Sequence, residues 1–217
     1  MSKIFVPAYM HWKLPTWLRR FFIPRAPDTA ATISYETKLM AARARSILWA
    51  LRPPAFDPVT ARYASPGSAL LMRQQLAMTL GHLSVDQVAA QRFDLTAQLR
   101  ERLERELRVP LTYTLGYLCQ DGQWLCCTPI AGLEQMLRTG IAPDARVKLH
   151  VWLTLPSHEI IDPTFWAVLP AYACADERKN RGLFMHPDQM LGRSYHPQWT
   201  GEGFVRRIGL LKEYDSW

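Results

Sequence analysis

From Val147 to Leu155 apolar residues alternate with others. Val147, Leu149, Val151, Leu153 and Leu155 fall on one side, and Lys148, His150, Trp152 and Thr154 on the other. Period two over this length predicts a strand with one buried face. Pro156, Ser157 and His158 read as a turn, and Glu159 to Asp162 as the return strand. A three-residue turn pairs Leu155 with Glu159 and sets Trp152 opposite Asp162. His150 then becomes a diagonal neighbour of Asp162 on the same face, about 7–8 Å away between backbones, a gap that long side chains close. A one-residue slip would put the two on opposite faces.

Elsewhere the pattern switches between periods. Asp28 or Thr29 can cap a helix running through Ile33, Leu39, Met40, Ile47, Leu48 and Leu51, stopped by Arg52-Pro53-Pro54. Residues 53–64 read as a loop. Ser65-Pro66 is a helix start, with a capping side chain ahead of proline at the first helical position, and that helix ends at Gly81. Val85 to Ala90 fits a short strand or a turn. Asp94 caps the clearest helix, with Leu95, Leu99, Leu103 and Leu107 in one stripe and mixed charges from Arg100 to Glu106 on the wet face. Val109-Pro110 ends it. Leu111 to Leu118 and Trp124 to Thr128 then form a hairpin around Asp121-Gly122. Ile130 to Arg138 is a short helix closed by Gly140. After Phe165 the chain reads as irregular, with a last strand expected over Gly203 to Leu211.

Composition narrows the class. The 217 residues are 48% apolar, enough for one domain with a sizeable core. Net charge is +7, which suits an acidic partner without choosing among nucleic acid, anionic lipid and protein. Residues 1–27 form a basic aromatic arm, with Lys3, Lys13, Arg19, Arg20 and Arg25 interleaved with Trp12, Trp17, Phe21 and Phe22. Residues 28–217 form a single α+β domain. The arm either packs its rings on the domain or lies on a membrane surface or nucleic acid. Arg19-Arg20-Phe21-Phe22-Ile23 is no export signal, because Pro24, Arg25 and Pro27 interrupt the apolar run it needs. No apolar run reaches membrane-spanning length, and Cys119, Cys126, Cys127 and Cys174 lack metal-ligand spacing, so a reducing cytoplasm is expected. No cofactor or metal motif is present. Nucleic-acid binding rests on charge alone.

The candidate chemistry lies in the hairpin. A carboxylate beside an imidazole fixes its tautomer and stabilises its cation, which is what a general base needs. The simpler alternative is a structural histidine, with Asp162 capping the turn at Pro163.

The order of these parts resembles the transglutaminase-like branch of the papain-like superfamily. A helix ends in Val109-Pro110 and feeds Leu111-Thr-Tyr-Thr-Leu-Gly116-Tyr117. His150-Val-Trp152 and Ile160-Ile-Asp162-Pro163-Thr164 follow. The resemblance spans roughly residues 90 to 165. It implies an α/β (α+β) fold in which an antiparallel sheet packs against helices. It also implies His150 as general base, Asp162 as its orienter and Trp152 in the same motif. The family's nucleophilic cysteine stands at the start of the helix before the Val-Pro element, where the helix N-terminus stabilises its thiolate. Here Phe93 takes that position. The attacking group must come from elsewhere, either Ser68 or Ser65 at a helix start or one of the strand cysteines Cys119, Cys126 and Cys127, or the chain is a non-catalytic relative. The resemblance thus implies a hydrolase or acyltransferase acting on an amide or ester in a protein or peptide, with a protein-binding relative or a basic nucleic-acid-binding module as alternatives.

Overall fold

The computed structural model describes residues 33–141 and 147–211. The basic aromatic arm and both expected caps of the first helix, Asp28 and Thr29, lie outside them. Helix α1 (Tyr35–Leu48) is instead capped by Ser34, whose hydroxyl accepts from the Thr37 amide at 3.2 Å. Its inward face is Leu39, Ala42 and Ser46. The expected apolar residues Ile33, Met40, Ile47 and Leu48 are exposed. Small residues let the helix lie close, and Ser46 Oγ takes the Thr200 amide at 2.9 Å, so a buried hydroxyl replaces part of the apolar stripe.

Helix α2 (Pro66–Leu80) begins on a reciprocal cap between Ser65 and Ser68. Val85–Ala90 is a helix, α3, and neither strand nor turn. Ser84 and Gln87 form the capping box that starts it. Helix α4 (Arg92–Leu107) begins two residues ahead of Asp94, which sits in its first turn and does not cap it. Leu95, Leu99 and Leu103 are buried as the stripe requires, each contributing about 1.5–3 kcal/mol of burial. Arg108 closes the helix in the left-handed region at φ 53°.

Strand β1 (Thr112–Gln120) turns through Asp121 and Gly122, both at positive φ, into β2 (Gln123–Leu125). Helix α5 (Ile130–Thr139) leads towards β3 (His150–Thr154) and β4 (Ile160–Asp162). The tail from Phe165 is more ordered than its prolines and glycines imply. It forms α6 (Phe165–Val168), α7 (Ala175–Asn180), β5 (Leu183–Met185) and β6 (Arg193–Thr200). The expected strand at Gly203 to Leu211 is instead a helix, α8 (Gly203–Arg207).

Among the described residues six strands form one antiparallel sheet in the order β2-β1-β3-β4-β5, with β6 also on β1. Among the described residues no helix is long and apolar enough to cross a membrane. Three contacts fix the sheet around β3. The Tyr35 hydroxyl accepts from Trp152 Nε1 at 2.8 Å and pairs with Thr154 Oγ1 at 2.7 Å, which ties α1 to β3. Gly116 faces His150 across the β1–β3 ladder. A Cβ there would fall 2.1 Å from the His196 carbonyl oxygen and 2.9 Å from the Trp152 ring, so only glycine lets β6 and Trp152 close over this point.

Candidate functional site

The β3–β4 hairpin pairs Thr154 with Ile160 and Leu153 with Ile161. Leu155 N donates to the Glu159 carbonyl at 2.9 Å. His158 closes the turn in the left-handed region at φ 66°. Carried one residue past Leu153 and Ile161, this register sets Trp152 beside Asp162 and His150 on the diagonal. The side chains close that diagonal, with His150 Nε2 2.7 Å from Asp162 Oδ2.

Asp162 is held at every point. Oδ2 also accepts the Tyr195 hydroxyl at 2.7 Å, and Oδ1 accepts the backbone amides of Thr164 at 3.1 Å and Phe165 at 3.0 Å. Burial pushes this carboxyl up, but the neighbouring His150 and the hydrogen bonds from His150, Tyr195 and Thr164 outweigh burial and hold it below the ordinary carboxylate value. The Asp-Pro-Thr turn therefore presents two amides to one carboxylate oxygen and leaves the other for the ring and the phenol. Burial and the adjacent carboxylate push the Tyr195 hydroxyl well above the usual phenol value, so it remains a donor.

The pair is sealed. His150 and Asp162 are both 0% exposed. Trp152 stacks on the imidazole at 6.2 Å between ring centres, and Phe165 meets it edge-on at the same distance. Arg193 lies over the outer face of Phe165 at 3.6 Å and is itself paired with Glu177. Among the described residues His150 Nδ1 has no hydrogen-bond partner, and no thiol or hydroxyl bonds to the ring.

Among the described residues none of the nucleophile candidates hydrogen-bonds to this ring. Ser68 Oγ donates to the Tyr63 carbonyl at 2.6 Å and takes the Ser65 amide at 2.8 Å, so it is part of the helix cap. Phe93, at the position the resemblance gives the nucleophile, is buried under the Arg92 guanidinium, and its carbonyl accepts the Tyr113 hydroxyl at 3.1 Å. Cys126 follows β2 with a left-handed backbone, φ 54°. Burial pushes its thiol up. The Arg92 charge at the start of α4 opposes that, and the Asp162 charge adds to it. Cys127 is also pushed up by burial, and Cys174 is exposed at the start of α7. No group of three or more metal-ligating side chains comes together among the described residues.

Tyr195 is the residue that sequence reasoning missed. Its strand carries Pro197, which argues against a paired strand, and a β-bulge takes up the irregularity between Leu115 and Gly116 on the partner. The available signal was the alternation of Tyr195, Pro197 and Trp199.

No family model matches the chain, and neither a curated protein nor a solved structure matches it.

Proposed function

We propose that this chain is a non-catalytic relative of the transglutaminase-like proteins that works by binding a protein or peptide, with the His150–Asp162 pair kept as a buried structural tie. One observation carries the reading. The imidazole and the carboxylate are both fully buried, and among the described residues no nucleophile bonds to the ring. A general base must reach the proton it removes, directly or through one water. A covalent intermediate also needs an activated hydroxyl or thiol beside it. Cys126, one of the candidate cysteines, has a thiol that burial pushes up and so away from the thiolate form.

Cys126 also supports a second reading. Its backbone strain and its position in the fields of Arg92 and Asp162 put a thiol near the helix start where the resemblance places a nucleophile. On that reading the chain is a cysteine-type hydrolase or acyltransferase. Incubation with p-nitrophenyl acetate, a general acyl donor, separates the two. The first reading predicts no burst and no acetylated peptide by mass spectrometry. A stoichiometric acetyl adduct on Cys126 would overturn it in favour of the second.

A further inference from the structure

The outermost strand of the sheet lies along a cleft. Strand β5 pairs with β4 through Asp162 with Leu183, Ile161 with Phe184 and Ile160 with Met185. It pairs with no strand on its other side among the described residues. No backbone group of Leu183, Phe184 or Met185 bonds outside that ladder within them. All three consecutive residues line one cleft of about 480 Å³. Successive side chains of a strand point to opposite faces, so three consecutive residues on one cleft are consistent with a cleft that reaches the strand's edge. No proline lies within this three-residue edge, and helix α7 contributes Asp176, Glu177 and Asn180 to the facing wall of the cleft.

The walls define the occupant. Met190 and Leu191 continue the apolar lining, and Leu191 is 94% exposed. Unbranched methionines adapt to side chains of varied shape. Across the cleft Glu177 is matched by Arg193, which leaves the exposed Asp176 as the unmatched charge of the lining. The cleft thus combines apolar walls and one unmatched carboxylate, Asp176, with a strand edge unpaired among the described residues.

We propose that the open edge of β5 takes an extended peptide as an added strand, with basic residues alternating with apolar ones. This rests on reading the chain as a binding module. The main chain of the peptide supplies the pairing, its apolar side chains fill the cleft, and a lysine or arginine meets Asp176. Because Leu183 is the cross-strand neighbour of Asp162, the added strand also braces the strand that carries the buried pair.

The test uses the full chain, labelled with ¹⁵N, and a pool of acetylated, amidated hexapeptides in which Lys or Arg alternates with Val, Ile, Leu or Phe. The expected result is amide shifts centred on Leu183 to Met185 and Leu191, and slower exchange of the amides in that strand. A pool N-methylated at every second residue, which keeps the side chains and loses the main-chain pairing, should bind at least about tenfold more weakly. Asp176→Lys should weaken binding in the same direction. Three results would overturn the proposal: no slowing at β5, equal binding by the N-methylated pool, or a glutamate-substituted pool binding as well. A poly(dT) oligonucleotide shifting the same amides in place of the peptides would overturn it too. The recovered peptides separate the two claims. Intact, unbound peptide defeats the edge alone, whereas cleaved or acylated peptide defeats the non-catalytic reading.

Discussion

Tyr195 and His150 share one oxygen of Asp162, each at 2.7 Å, and bring β6, β3 and β4 to a single buried carboxylate. Two donors on one lone-pair-rich oxygen and two backbone amides on the other leave the carboxylate fully satisfied. That satisfaction is the condition under which a buried charge is tolerated. Tyr195→Phe removes one donor without changing shape. We expect a loss of about 1.5–3 kcal/mol, the range for a hydrogen bond to a charged group, read from urea denaturation. No change would mean that the phenol does not hold the carboxylate.

The same carboxylate gives an acid-dependent stability. Its folded value lies below the unfolded one, so its contribution is fully present above the unfolded carboxyl range. It fades as pH falls through the lower folded value. The stability gap between wild type and Asp162→Asn should therefore be constant near neutrality, about 3–5 kcal/mol for breaking a buried pair, and shrink below about pH 4. A gap that widens on acidification would contradict this sign.

His196 titrates in a different window. Burial, with the Lys38 charge adding to it, pushes this imidazole down to about 4. Its ring stacks on Tyr117 at 4.7 Å and bonds to Ser194 Oγ at 2.9 Å. The unfolded chain takes up the proton first, so stability falls as pH drops from about 6.5 towards 4. His196→Asn should flatten that slope in a pH series of thermal melts.

Gly116→Ala tests the closeness of β6 and Trp152. The added methyl would overlap the His196 carbonyl, which is backbone and cannot swing aside. We expect a loss of about 1–3 kcal/mol or more, with disturbed Trp152 fluorescence. A variant as stable as wild type would show that the sheet is more yielding at this bulge than the geometry implies.

The hairpin was legible because its signal is local. Alternation through Val147 to Leu155 and one short turn determine which residues face each other, and Leu155–Glu159 pairing brings His150 to Asp162. The stripe at Leu95, Leu99 and Leu103 was legible for the same reason. The expected single buried face of β3 is not what forms, because His150, Trp152 and Thr154 are as fully buried as Val151 and Leu153. The first helix was legible as a helix but its buried face was not, because Ala42 and Ser46 pack inward through size and a hydrogen bond, while Ile47 and Leu48 point out. Strand β6 hid behind Pro197, whose missing amide is absorbed by an irregular register against β1. The sealing of the pair was also hidden, since Tyr195, Phe165 and Arg193 reach it from elements that only the tertiary fold brings together.

The central claim is that no thiol is poised against the buried histidine. The most direct measurement is the rate at which iodoacetamide labels each cysteine from pH 5 to 9, resolved by peptide mass spectrometry. It would be run on wild type and His150→Gln, with Tyr195→Phe as a second variant that leaves the ring in place. We predict slow labelling of Cys126 and Cys127 below pH 8 with the same profile in all three proteins. Fast labelling of one cysteine near pH 6, lost in His150→Gln, would reveal a thiolate–imidazolium pair and contradict the account.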